Sequence, residues 1–123
     1  MDECTKQRLQ MSKEFRDCQS AFIALGDETR QQIVIALLEG ERKGMRVGEL
    51  TKRTHLSRPA VSHHLQILKG AKIINMHRKG TMNFYYMDAN ETEWGKIAAL
   101  INHIYAIVQK AAQTDYQQGE CDD

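Results

Sequence analysis

Between Leu56 and Lys69 the chain carries side chains suited to nucleic acid, spaced to share one helical face. Arg58, Ser62, Gln66 and Lys69 recur at helical intervals, and His63 lies beside them. Their donors and acceptors match base edges in a DNA major groove and the phosphates that flank it. The opposite face is apolar: Val61, Leu65 and Leu68 stand at i, i+4 and i+7, the spacing of a stripe that faces a core. Ser57 is a good N-cap, and Pro59 is tolerated only within a first helical turn. These residues predict a recognition helix.

Charge points to the same place. Residues 42–83 hold ten Lys and Arg against one acid, Glu49, a net of +9. The rest of the chain holds seven bases against fifteen acids, a net of −8. The overall charge of +1 conceals this division. A basic segment coinciding with a recognition-helix pattern is the electrostatic footprint of a phosphate-binding surface.

The flanking elements must position that helix. Val47 to Thr54 reads as a short helix with Val47 and Leu50 inward, and His55-Leu56-Ser57 as the turn, so residues 47–70 form a helix-turn-helix. Glu41 to Arg46 is a short basic loop. Ile73–Arg78 and Asn83–Met87 are β-rich runs separated by Lys79-Gly80-Thr81-Met82. They predict a hairpin over residues 73–87, a wing whose basic tip, Arg78 and Lys79, can touch backbone or minor groove.

Upstream, Asp27 caps a helix that buries Ile33, Val34, Leu37 and Leu38 and closes at Gly40. Residues 6–25 form one helix with Met11, Phe15, Cys18, Phe22 and Leu25 along a heptad-like seam, ended by Gly26 as a left-handed cap. Residues 91–113 form the last helix, started by Asn90 as N-cap, with Trp94, Ile97, Ile101, Ile104, Val108 and Ala111 in register. The terminal helices carry more apolar surface than a small winged helix covers. They are expected to form a homodimer interface through Phe15, Cys18, Phe22, Trp94, Ile97, Ile101, Ile104 and Val108. Residues 114–123 read as a disordered acidic tail. The expectation is one winged-helix domain over residues 1–123, mostly α with a small β-hairpin.

Other chemistry finds little support. No nucleophile–base set, glycine-rich phosphate loop or paired-carboxylate pocket is apparent, which argues against an enzyme. The longest fully apolar run, Ile33–Leu38, is far too short to span a bilayer, and the polar start lacks a signal peptide's apolar stretch. A cytoplasmic protein without a membrane partner is expected. Three widely spaced cysteines do not form a secreted disulfide framework. Cys18 reads as a buried structural thiol. Cys4 and Cys121, expected to be exposed, could approach each other if the terminal helices pair, as a soft-metal or thiol-redox switch. Adjacent His63 and His64 point about 100° apart and cannot chelate one ion; His64 reads as a half-buried packing residue.

With these motifs in hand, the sequence resembles the ArsR/SmtB family of bacterial winged-helix repressors. The resemblance spans about Phe22 to Met87. It rests on Leu25-Gly26-Asp27-Glu28-Thr29-Arg30, on Leu56 through Leu68, and on Arg78-Lys79-Gly80 with Phe84-Tyr85-Tyr86. It implies a homodimer that binds double-stranded operator DNA and represses transcription until an effector releases it. It implies DNA contacts from Ser57, Arg58, Ser62, His63 and Gln66, with wing contacts from Arg78 and Lys79. Thr81 stands where the family often has an arginine, which weakens the wing contact. The family's usual metal sites are missing. The positions of a Cys-x-Cys pair hold Arg46 and Gly48, and the last helix has a single histidine, His103, with no paired ligand. No cofactor or metal is therefore expected at those sites. The alternative is a winged helix serving as a protein-interaction module, which calls for an apolar exposed face where Arg58, Ser62, Gln66 and Lys69 stand.

Overall fold

The computed structural model describes residues 2–88 and 91–113, in two compact units. One comes from the two ends of the chain (Met1–Gln19 with Glu91–Asp123) and one from its middle (Ser20–Asn90).

The end unit pairs α1 (Glu3–Asp17) with α6 (Glu91–Gln113). Helix α1 starts at Asp2, whose carboxylate accepts the Thr5 N–H at 2.7 Å. Glu3 in the first turn and Arg16 in the last complement the helix dipole. Fully buried Leu100 and half-buried Ile97, Ile104, Ile107 and Ala111 recur at steps of three or four along α6. Glu14 on α1 meets His103 on α6, with Oε1 2.9 Å from Nδ1. The apolar stripe expected on α6 thus divides in two. Leu100, absent from the expected seam, is its most buried residue, while Ile101, Tyr105 and Val108 remain 50–59% exposed.

The expected helix over residues 6–25 is interrupted. It begins three residues earlier and breaks at Cys18 (φ −97, ψ 2), and α2 runs Gln19–Leu25. The apolar pattern follows large residues, but the structure buries small ones: Cys18, Ala21 and Ala24 are inside, while Phe15 is half exposed. Small side chains let backbones approach closely, so volume rather than hydrophobicity decides which face turns in. Gly26 is not left-handed; it leaves room for the Phe22 carbonyl, 2.9 Å from where a Cβ would stand. The expected cap Asn90 and the tail 114–123 lie outside the described residues.

In the middle unit, α3 (Glu28–Glu39) starts at Asp27, whose side chain accepts the Arg30 N–H at 2.9 Å. Ile33, Ala36 and Leu37 are buried; Val34 is half-buried and Leu38 is 65% exposed, contrary to expectation. Helix α4 (Val47–Thr54) and helix α5 (Arg58–Gly70) follow, and His55 turns between them in a left-handed conformation at φ 60. The core includes Leu50, Val61, Leu65, Leu68, Ile73 and Ile74, each at most 1% exposed.

Strands β1 (Ile74–Lys79) and β2 (Met82–Met87) pair antiparallel, from Ile74 opposite Met87 to Lys79 opposite Met82. The strands run closer to the tip than expected, leaving the two-residue loop Gly80-Thr81. Gly80 at φ 65 in its first position suits a tight hairpin turn. The loop before α4 joins this sheet: Met45 and Tyr85 exchange N–H···O bonds of 2.8 Å in both directions. Gly44, at φ 96, makes that approach possible.

Candidate nucleic-acid interface

The exposed surface of α5 follows from its cap and its core. Ser57 Oγ accepts the Ala60 N–H at 3.3 Å, and Pro59 sits in the first turn. Val61, Leu65 and Leu68 anchor the inner face at 0% exposure. Period 3.6 then leaves Arg58, Ser62, His63 and Gln66 exposed, while Lys69 is only half exposed. Ser57 is exposed too; with its oxygen engaged in the cap, its O–H remains able to donate.

His64 turns away from that surface. It is half-buried, and Arg30 Nη1 lies 3.3 Å from its Nδ1. Arg30 also donates to the carbonyls of Ala24 at 2.7 Å and Ile23 at 3.1 Å. One arginine of α3 therefore ties the end of α2 to α5. No spacing rule exposes this: its partners lie 6, 7 and 34 residues away.

At the wing, Arg78 and Lys79 are exposed, and Arg78 Nε donates to the Gly80 carbonyl at 3.0 Å. The guanidinium is thus partly folded onto its own turn. His77 stacks on Phe84 with ring centroids 5.5 Å apart, stiffening the strands behind the tip.

The residues fit a metal poorly. Arg46 and Gly48 flank Val47 at the start of α4, and a Cβ on Gly48 would stand 3.3 Å from Arg58 Nη1. A cation occupies the ground where the family's cysteine pair would act. Among the described residues, no group of three or more His, Cys, Asp or Glu can hold a metal ion. Buried Cys18 is 3% exposed; burial, aided by the Asp17 and Glu93 carboxylates, pushes its thiol above the ordinary value. That environment makes an unreactive sulfur and leaves it nothing to offer a second copy. Cys4 is half-buried and disulfide-bonded rather than an exposed thiol, and Cys121 lies outside the described residues.

Of the other residues expected to meet a second copy, Phe15, Ile101 and Val108 are half exposed. Phe22, Trp94, Ile97 and Ile104 are half-buried. Tyr105, 59% exposed, shares the stripe of Ile101 and Val108 and escaped the sequence pattern because its polar hydroxyl masks a large apolar ring.

Comparison with known proteins agrees with this geometry. Residues 27–76 match the family model described as bacterial regulatory protein, arsR family. The chain is 38% identical over 69 residues to the transcriptional repressor SdpR of Bacillus subtilis, covering 56% of this chain and 73% of that protein. It is 32% identical over 82 residues to the transcriptional activator HlyU of Vibrio cholerae, covering 67% and 71%. Among solved structures, an ArsR-like transcriptional regulator from Rhodococcus sp. RHA1 superposes with a TM-score of 0.71 at 26% identity, covering 89% of this chain and 95% of that one.

Proposed function

The chain belongs to the ArsR family of bacterial regulatory proteins and is a DNA-binding transcriptional regulator; from that premise we propose that it is a homodimeric repressor, released from its operator by an effector. The observation that carries the DNA-contacting part is the exposed row Arg58, Ser62, His63 and Gln66 on a helix anchored by a fully buried opposite face. In this reading α5 enters the major groove, and Ser57, Lys69, Arg78 and Lys79 hold the flanking backbone. An interaction module that avoids DNA calls for an apolar surface on α5, and that surface is polar and basic.

Dimerisation is supported by the apolar stripe Ile101, Tyr105 and Val108 on α6, with Phe15 on α1, which a single chain leaves in water. Two recognition helices then meet half-sites about one helical turn apart. Repression is the reading taken over activation, although the relatives include proteins named for each. The effector reading rests on sulfur: Cys18 is buried and Cys4 is disulfide-bonded, so a thiol-redox response falls to Cys4, with Cys121, and a soft-metal response would first require that disulfide to be reduced. The site of action is the cytoplasm, where the operator is; no described helix is long and apolar enough to cross a membrane.

The test is fluorescence anisotropy with a duplex from the protein's own promoter against a scrambled duplex. Selective binding is expected, with affinity falling roughly a thousandfold between low and moderate salt if six or more phosphates are neutralised. Equal affinity for both duplexes, or a flat salt titration, overturns this reading.

A further inference from the structure

We propose that the cleft between the first turn of α4 and the wing is a seat for one DNA phosphodiester, and that Gly48 is there to give Arg58 its place in it. The inference deepens the DNA-binding reading and rests on it.

The cleft, about 420 Å³, is lined by Arg46 at the N-cap of α4, Lys52 of α4, Arg58 of α5, and Thr81 and Asn83 of the wing. Three cations converge on one concavity. The carboxylate among its walls, Glu49, turns back to accept the Arg46 N–H at 3.2 Å. Elsewhere in this unit some cations find acids, as Arg53 pairs with Glu39 at 2.8 Å and Lys43 with Glu41 at 3.9 Å. Among the described residues, Arg46, Lys52 and Arg58 have no such partner. Three like charges against the single carboxylate of Glu49 leave a net positive cleft whose mutual repulsion an anion from outside relieves.

The lining suits a phosphodiester. Arginine and lysine supply charge, and the Thr81 hydroxyl and Asn83 amide can donate to its non-bridging oxygens. The strand of a duplex is favoured over a free anion because Arg58 belongs both to this cleft and to the exposed face of α5. Backbone lying beside that helix passes the cleft.

Gly48 supplies an independent observation. Its φ is not positive, so its backbone has no need of glycine. A glycine inside a helix is less stable there than alanine. What glycine provides is room, since a Cβ would stand 3.3 Å from Arg58 Nη1. Alanine would press on the guanidinium, which must give by a few tenths of an ångström, and so tests binding with little cost in stability.

The experiment uses the full chain and the promoter duplex, titrated with KCl by anisotropy, for wild type, Arg46→Gln/Lys52→Gln and Gly48→Ala. The double variant is expected to bind at least tenfold more weakly, on promoter and scrambled duplex alike, with a salt slope lower by about one. Gly48→Ala is expected to melt at the same or a higher temperature yet bind severalfold more weakly. A duplex with a single methylphosphonate, moved along each strand, should reveal one linkage per half-site whose neutralisation weakens wild type but not the double variant. Unchanged affinity and slope in both variants overturn the seat while leaving DNA binding intact. So does stabilisation of wild type alone by inorganic phosphate at constant ionic strength, with duplex affinity unchanged by the variants; the cleft then serves a free anion. Failure of wild type to prefer its promoter duplex overturns the DNA reading itself, and the seat with it.

Discussion

Arg30 and His64, 34 residues apart, meet with Nη1 3.3 Å from Nδ1, and this pair couples α5 to the helix that precedes α3. The same guanidinium serves the Ile23 and Ala24 carbonyls at the C-terminal end of α2, where a helix leaves acceptors without an i+4 partner. The side chain is 12% exposed, so water replaces these bonds poorly.

Arg30→Met is therefore expected to lower stability by about 2–3 kcal/mol, the cost of removing a charged donor from several part-buried acceptors. His64→Leu, which leaves the carbonyl bonds in place, should cost less. Urea unfolding followed by circular dichroism measures both. Equal losses would mean that the His64 contact carries most of the effect.

Gly44→Ala should cost about 2–4 kcal/mol, because a left-handed backbone and a backbone clash act together. At φ 96 the new Cβ falls on the Tyr85 carbonyl. Gly80, at φ 65, has nothing within 4 Å of its Cβ position. Gly80→Ala should cost only about 1–2 kcal/mol. Thermal melts of the two variants check the difference.

Ile101→Glu and Leu100→Glu differ by one position and should fail differently. Ile101 is 50% exposed and Leu100 is 0% exposed. The first variant should stay helical and sediment as a monomer. The second buries an unpaired charge and should unfold. A helical dimer of Ile101→Glu by analytical ultracentrifugation removes this stripe from the interface.

Gln66→Ala should reduce binding to the promoter duplex by about 1–3 kcal/mol and relax its sequence preference, as loss of a base contact does. Anisotropy against single-base variants of the duplex resolves this. A uniform loss across sequences would make Gln66 a backbone contact.

Acid should weaken the start of α3. The Asp27 carboxyl is held below its usual value, first by the Arg30 N–H that it accepts and then by the Arg30 charge. A carboxyl depressed in the folded state contributes stability above its unfolded value, near pH 4. That contribution is lost as pH falls through the lower folded value. Asp27→Asn keeps a capping oxygen without the charge, so its stability should vary less than wild type's below pH 4.

The helix-turn-helix was legible because its signals are local. Ser57, Pro59 and the stripe Val61, Leu65 and Leu68 lie within three turns, and periodicity alone assigns their faces. Helix α4 has the bounds that the residues imply, Val47–Thr54. Basic residues gathered around one helical pattern point to the partner's chemistry by themselves. Glycine at 80 marked the hairpin, although cross-strand pairing carried both strands closer to the tip than composition indicates.

What only the tertiary structure decided is where apolar periodicity meets a choice of neighbours. Hydrophobicity gives a helix an apolar stripe without saying which part a neighbouring helix will cover. So α6 buries Leu100 and leaves Ile101 in water. The break at Cys18 has neither proline nor glycine to announce it. Contacts distant in sequence are silent for the same reason. The bridge between Met45 and Tyr85, the reach of Arg30 to His64, and the room that Gly48 leaves for Arg58 depend on three-dimensional proximity. Local residue types determine elements and their chemistry; packing determines which of those residues meet.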